Sequence, residues 1–162
     1  MGNRITIEKY TDDYKEELTR LLKDMSKELF GTGTVDVDSF ISSHWAIYLA
    51  KLEDKVIGFS SFFYNTYFGF RTPSVGYTYM YIEPAHRNSK ASYLFNIQSG
   101  VLSLDNNVAL EHYYASEYSR RMSKRIQGKL LYETYIYEVP EVKEAFNKLI
   151  TKIKIKDNKH EI

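Results

Sequence analysis

The hydrophobic positions change period along the chain, and each change marks an element. Ile5-Thr6-Ile7-Glu8-Lys9 alternates apolar and polar, the period of a half-buried strand. Tyr14, Leu18, Leu21, Leu22, Met25 and Leu29 then recur at helical spacing, which predicts a helix from Asp12 to Phe30. Thr11-Asp12-Asp13 ahead of it reads as an N-cap cluster, with acids suited to the helix dipole. Gly31-Thr32-Gly33-Thr34 breaks the period. Asp36 to Ser43 predicts a short second helix with Val37, Phe40 and Ile41 on one face. Trp45–Leu52 and Val56–Tyr64 read as strands joined by the tight turn Glu53-Asp54-Lys55, an antiparallel hairpin. After an aromatic loop from Asn65 to Pro73, Val75 to Ile82 is the next strand.

Ser89 to Leu104 is predicted helical, with Ala91, Leu94, Phe95, Ile97 and Leu102 as its apolar positions and Asp105-Asn106-Asn107 as its end. Val108 to Tyr114 follows as a strand. Ser116 to Gln127 carries Tyr118, Met122 and Ile126 on one helical face, and Gly128 is its C-cap. Leu130 to Val139 reads as one tyrosine-rich strand. Pro140 opens a last helix marked by Val142, Phe146, Leu149, Ile150 and Ile153, and the mixed-charge end should fray. The order β-α-α-β-β-β-α-β-α-β-α predicts an α/β (α+β) fold: one mixed, mostly antiparallel sheet with helices on both faces. The step from Val75 through Tyr114 predicts a right-handed parallel crossover. The expected division is one domain over residues 1–139, with a C-terminal helix and tail over residues 140–162 packed on it.

Composition narrows the class. A chain of 162 residues is long enough for one domain with a real core. It has no cysteine, so neither a disulfide framework nor a thiolate zinc site is available, and no metal site is expected. The net charge of +1 gives no global basic field, so nucleic acid is not the expected partner. No apolar run reaches the roughly 20 residues of a membrane span, and no signal-like segment precedes the first strand. A cytoplasmic address is the expectation. The 15 tyrosines and 9 phenylalanines suit a β-rich core, and tyrosine also suits a cleft with one dry and one wet side.

The segment Tyr79 to Phe95 carries the candidate chemistry. An apolar strand runs into Glu83-Pro84, then a polar loop opens at Arg87 and leads into a helix. A strand, a polar loop and a helix start form an anion cradle, because the first N–H groups of a helix lack partners within it. A pyrophosphate suits such a cradle.

With the order of elements around it, Tyr81-Ile82-Glu83-Pro84-Ala85-His86-Arg87 resembles the approach to the acetyl-CoA site in the GNAT superfamily of N-acetyltransferases. The resemblance covers Ile5 to Val139. The run Ser116 to Gly128, followed by Glu133-Thr134-Tyr135, is similar to the end of small GNAT proteins, several of them phage-encoded. The resemblance implies acetyl-CoA as co-substrate. It places Tyr81 and Ile82 near the acetyl group, and Arg87, Asn88, Ser89, Lys90, Ala91 and Ser92 on the pyrophosphate. The family loop has two glycines where this chain has Lys90 and Ser92. Glycine lets a backbone approach phosphate closely. Ser92 is small enough to keep that approach, and the Lys90 ammonium pairs with phosphate as a point charge.

Acetyl transfer to an amine needs a proton acceptor for the amine and a proton donor for the departing thiolate. Family members often place an acid just upstream of the strand end, but Thr78, Tyr79 and Met80 stand there. Tyr79 is a candidate to relay a proton through water, against a packed strand tyrosine. Glu111 is the best carboxylate candidate, against a solvated glutamate. Tyr118 is the candidate acid in the late helix, where the family's usual tyrosine position holds Lys124. His112 and His86 read as packing and loop residues, and His44 carries no signal.

The acceptor implied is a small-molecule, peptide or protein amine. The Gly31–Asp36 loop is expected to overhang it, and Asp36 and Asp38 suit a cation or a helix N-terminus equally. Tyr64, Tyr67, Phe68 and Phe70, with Arg71, can stack bases or dock a partner, against edge packing or a homodimer contact. The alternative to an enzyme is a catalytically degenerate GNAT-like binding or inhibitory protein, phage-encoded like some of its resembling relatives.

Overall fold

The computed structural model describes residues 4–66, 73–113, 129–131, 134–137, 144 and 147–148. The predicted late helix with Tyr118, the aromatic residues at 67–72 and nearly all of the predicted C-terminal helix lie outside the described residues. The contacts divide the chain into two compact units.

The first unit holds residues 1–63 and 78–96. Its strands are β1 (Ile5–Lys9), β2 (Ala46–Leu52), β3 (Lys55–Asn65) as far as Phe63, and the second half of β4 (Ser74–Ile82), in that spatial order. β1 and β2 are antiparallel, with Ile7 opposite Ala50, and β2 and β3 form the expected hairpin. The hairpin register shifts between Ala50 and Lys51, so β3 carries a bulge. Seven consecutive residues of β3, Val56 to Phe62, are buried, which requires cover on both sheet faces.

Helix α1 (Lys15–Phe30) supplies one cover. Leu18, Leu21, Leu22 and Met25 pack against Ile47, Leu49, Val56, Phe59 and Tyr81. Each fully buried leucine contributes about 1.5–3 kcal/mol relative to an exposed one. The start of α1 differs from expectation. A 3-10 turn, Asp12–Tyr14, precedes it, and Thr11 makes no side-chain cap. The Thr11 carbonyl instead accepts the Tyr14 N–H at 3.0 Å, and Glu16 and Glu17 supply the first-turn acids. Gly31 ends α1 in the left-handed region at φ 73°, its N–H bonded to the Lys27 carbonyl. Helix α2 (Val37–Ser43) is capped by Asp36, whose carboxylate accepts the Ser39 N–H at 3.0 Å.

The second unit holds residues 64–77 and 97–162. In it the first half of β4 pairs in parallel with β5 (Ala109–Tyr113), Val75 opposite Leu110. The predicted parallel step is present. β5 pairs antiparallel with β7 (Thr134–Tyr137), and β7 with β6 (Lys129–Leu131). The single strand expected over Leu130–Val139 is therefore a hairpin, with Leu131 opposite Thr134. The run contains no Gly, Pro, Asn or Asp, so its turn carries no local signal, and pairing with β5 decides where the chain folds back.

Helix α3 (Ala91–Asn106) begins in the first unit and ends in the second. Its buried line is more polar than the periodicity suggested. Ser92, Asn96, Ser99 and Ser103 are buried with Ala91, Phe95 and Leu102, whereas Leu94 and Ile97 are half-buried. Asn96 and Ser103 satisfy themselves on the carbonyls of Ser92 and Val108. The helix ends at Asn107, at φ 52°.

Candidate functional site

The predicted cofactor segment lies wholly in the first unit. Tyr81 and Ile82 are buried at the end of β4, where β3 comes unusually close. A Cβ on Gly58 would stand 2.6 Å from the Tyr81 carbonyl oxygen and 3.2 Å from the Ile82 Cα, so only glycine fits there. One residue on, the Glu83 N–H donates to the Ile57 carbonyl at 2.9 Å. The bulge in β3 thus holds the strand end against the loop that follows.

Glu83 is the charged hinge of that loop. Its side chain is 12% exposed and sits against the cations Arg20 and Lys55, with Lys55 at 2.9 Å. His86 Nε2 lies 3.7 Å from the same carboxylate. Burial pushes the Glu83 carboxyl up, but the hydrogen bonds from Lys55 and Arg20 outweigh it and hold the group below its ordinary value. Arg20 also donates to the Val56 carbonyl at 2.8 Å, tying α1 to the bulge. His86 is therefore a neighbour of Glu83 within a 3-10 turn, Pro84–His86.

Arg87 has a different setting from the one the motif suggests. Its Nε donates to the Ile82 carbonyl at 3.1 Å, and its Nη2 donates to Glu28 on α1 at 2.5 Å. The guanidinium also lies over the Tyr81 ring, 5.7 Å from its centroid. The hydrogen bond from Arg87 holds the Glu28 carboxyl low, with burial opposing it. Burial, with the nearby Glu28 charge adding to it, pushes the Tyr81 phenol up. Arg87 is thus a strap from the loop to α1.

The turn continues through Asn88, Ser89 and Lys90. The Ser89 hydroxyl accepts the Ala91 N–H at 3.3 Å, and the Lys90 carbonyl accepts the Leu94 N–H at 3.0 Å. Asn88 and Lys90 are exposed, Ser89 is half-buried, and Ala91 and Ser92 are buried. The start of α3 is therefore a tight turn with an exposed lysine, and the small Ser92 side chain adds no bulk to its outer surface. The Ala91 and Ser89 N–H groups are thus already bonded, to Ser89 Oγ and the His86 carbonyl, and the exposed Lys90 at the helix start is the cation nearest an anion held there.

A cleft of about 320 Å³ lies nearby in the same unit. Leu22, Met25 and Phe30 of α1, Asp36, Phe40 of α2 and Tyr79 of β4 line it, together with the loop after α1. Tyr79 is 39% exposed, so this strand tyrosine is not simply packed away. Its ring meets Phe40 and His44, each at a centroid distance of 6.0 Å. His44 was silent in the sequence. Here its Nδ1 is 2.6 Å from the Phe40 carbonyl, so this nitrogen carries the proton and caps the end of α2. No periodicity could have paired His44 with Tyr79, since the contact crosses from a helix end to a strand.

Glu111 belongs to the second unit. It is 3% exposed, and its carboxylate accepts a hydrogen bond from Ser74 Oγ, itself buried. Glu111→Ala removes a buried carboxyl group and takes from Ser74 Oγ its hydrogen-bond partner, and the net cost should be about 1–2 kcal/mol. Urea unfolding of that variant and of Ser74→Ala checks this: a coupling near zero in the double-mutant cycle would deny the pair. Tyr118 lies outside the described residues, as does the side chain of His112. Asp38 pairs with Lys15 at 2.6 Å on the surface. Among the described residues no cluster of three or more acids and histidines is placed to hold a metal ion, and no helix is long and apolar enough to cross a membrane.

No protein-family model matches the sequence, and no curated protein matches it. Solved structures do. A GNAT-family acetyltransferase from Staphylococcus aureus Mu50 superposes with a TM-score of 0.59 at 13% identity, over 84% of this chain and 99% of that one. The protein has a GNAT-like fold. AtaTR bound to acetyl-CoA matches it with a TM-score of 0.63 at 19% identity, over 88% of this chain and 98% of that one. The KacTA–DNA complex matches with a TM-score of 0.62 at 14% identity, over 90% of this chain and 99% of that one. In the GNAT-like frame, the mostly antiparallel sheet and the first three expected helices, α1, α2 and α3, are present among the described residues.

Proposed function

We propose that this protein is an acetyl-CoA-dependent N-acetyltransferase. The observation that carries the reading is the tight turn Arg87–Ser92 at the start of α3, strapped to α1 and set at the end of β4 in a GNAT-like fold. A neighbour of that fold is bound to acetyl-CoA. In this reading the turn's N–H groups and Lys90 hold the pyrophosphate. Arg87 acts on the cofactor through Glu28, by fixing the turn.

Acetyl-CoA would supply an activated acyl group, and the chain must orient it and move protons. The acceptor nitrogen loses a proton as its bond to the acetyl carbon forms and the carbon–sulfur bond breaks; the sulfur gains a proton. Tyr79, half-open on the cleft, is the proposed relay on the amine side. Glu111 as base and Tyr118 as acid are proposed from their positions in the sequence alone. The acceptor enters the cleft under the loop after α1.

The test is acetyl-CoA binding by calorimetry and thermal unfolding. At a hundred times its dissociation constant the ligand should stabilise the fold by about 2.7 kcal/mol. No shift at millimolar ligand overturns the reading. Arg87→Ala should weaken binding severalfold by releasing the turn, and Lys90→Glu should weaken it further by placing like charge beside phosphate.

A second reading is a GNAT-like binding protein without transferase activity. The capture of Arg87 by Glu28 and the absence of glycine at Lys90 and Ser92 favour it. The same titration separates the two.

A further inference from the structure

We propose that the cleft beside Tyr79 selects a primary monoamine carried on an apolar or aromatic group, with Asp36 facing the ammonium. This rests on the acceptor-side reading above and goes further by naming the chemical class. The volume of about 320 Å³ stands at the small end of ligand pockets and suits a single aromatic side chain with its amine. Leu22, Met25, Val35 and Phe40 make the lining apolar, and Phe30 and Tyr79 stand on it with large exposed rings, Phe30 at 67%. Such rings recognise flat apolar groups and, through their faces, an ammonium.

The polar part of the lining is already occupied with itself. Ser26 Oγ lies 3.0 Å from Thr32 Oγ1 and donates to the Thr34 carbonyl at 3.2 Å. The Thr34 N–H approaches Thr32 Oγ1 at 3.4 Å. These groups therefore hold the loop shape instead of presenting a hydrogen-bonding surface to a sugar or a polyol. Asp36 is the one ionisable acid on the lining, and no lysine or arginine joins it. One carboxylate can balance one ammonium. A polyamine or an aminoglycoside would bring further ammonium groups that find no second carboxylate on the lining and gain nothing from its apolar side chains. Asp38 does not change the balance, because Lys15 already pairs with it.

A free small amine and the N-terminus of a peptide share this chemistry. The experiment measures binding to the full chain by calorimetry, with and without saturating acetyl-CoA. The probes are phenethylamine, Phe-Gly-Gly amide, spermidine and the neutral phenethyl alcohol. Phenethylamine should bind at least tenfold more tightly than spermidine or phenethyl alcohol. Asp36→Asn, which keeps a good helix cap, should lower phenethylamine affinity about tenfold and leave phenethyl alcohol unchanged. Tyr79→Ala should weaken both. Tighter binding of Phe-Gly-Gly amide than of phenethylamine identifies a chain terminus as the source, and the reverse identifies a free amine; either supports the proposal. Spermidine binding as tightly as phenethylamine, an unaltered affinity in Asp36→Asn, or no binding by either aromatic amine overturns it. If the amines bind and acetyl-CoA does not, the cleft assignment stands and acetyl transfer falls. If acetyl-CoA binds and the amines do not, the reverse holds.

Discussion

Gly58→Ala should destabilise the protein by about 3 kcal/mol and weaken acetyl-CoA binding with it. The added methyl would lie 2.6 Å from the Tyr81 carbonyl oxygen and 3.2 Å from the Ile82 Cα. Both obstacles are backbone, so no rotamer change relieves them. The end of β4 must move away from β3. That displacement pulls on the Glu83 N–H bond to Ile57 and on the Ile82 carbonyl held by Arg87. Urea unfolding measures the first effect and calorimetry the second. A loss under 0.5 kcal/mol, the scale of an ordinary surface substitution, would mean that the strand end is not held as tightly as its geometry implies. Gly58→Ser should behave like alanine, because the obstruction acts at the Cβ.

Removing the Glu83 carboxylate should cost about 2–3 kcal/mol at neutral pH. The side chain is 12% exposed, whereas Arg20 and Lys55 are 41% and 61% exposed. The cost therefore stays below the 3–5 kcal/mol typical of a fully buried pair, because water recovers part of the cations' solvation. Glu83→Gln keeps the shape and should lose less than Glu83→Ala. The pH dependence carries a definite sign. The folded carboxyl is held below its ordinary value of 4.5, by Lys55 and Arg20 against the opposing effect of burial. Its contribution is complete above the unfolded value and fades as pH falls through the lower folded one. Glu28 and Glu8, also held low, act in the same direction. Chemical unfolding between pH 3 and pH 7 should show wild type and Glu83→Gln converging toward the acid end. A gap that stays constant over that range would remove the electrostatic account.

The two substitutions act on the same small region, and that is where sequence and structure divided their labour. The periods of Leu18, Leu21, Leu22 and Met25, and of the strands around them, were readable because amphipathic burial writes itself into local spacing. The hairpin from Ala46 to Asn65 carried its turn at Glu53 and Asp54. The tyrosine-rich run near the end carried none, so its division into β6 and β7 was invisible. α3 showed the reverse problem: polarity usually marks solvent, yet Ser92, Asn96, Ser99 and Ser103 are buried, with Asn96 and Ser103 bonded to the carbonyls of Ser92 and Val108.

The chemistry divides in the same way. The order of elements and the run from Tyr81 to Ser92 were enough to mark the fold and an anion-binding turn, since a strand, a polar loop and a helix start are contiguous in the chain. Partners distant in sequence were not marked. That Glu28 holds Arg87, that Glu83 gathers Arg20 and Lys55, that His44 and Phe40 meet Tyr79, and that Gly58 lies under Tyr81 all depend on elements meeting in space. Local periodicity determines which face of each helix and strand is buried. Only the tertiary packing decides which charge answers which, because that depends on distances between segments that no spacing along the chain encodes.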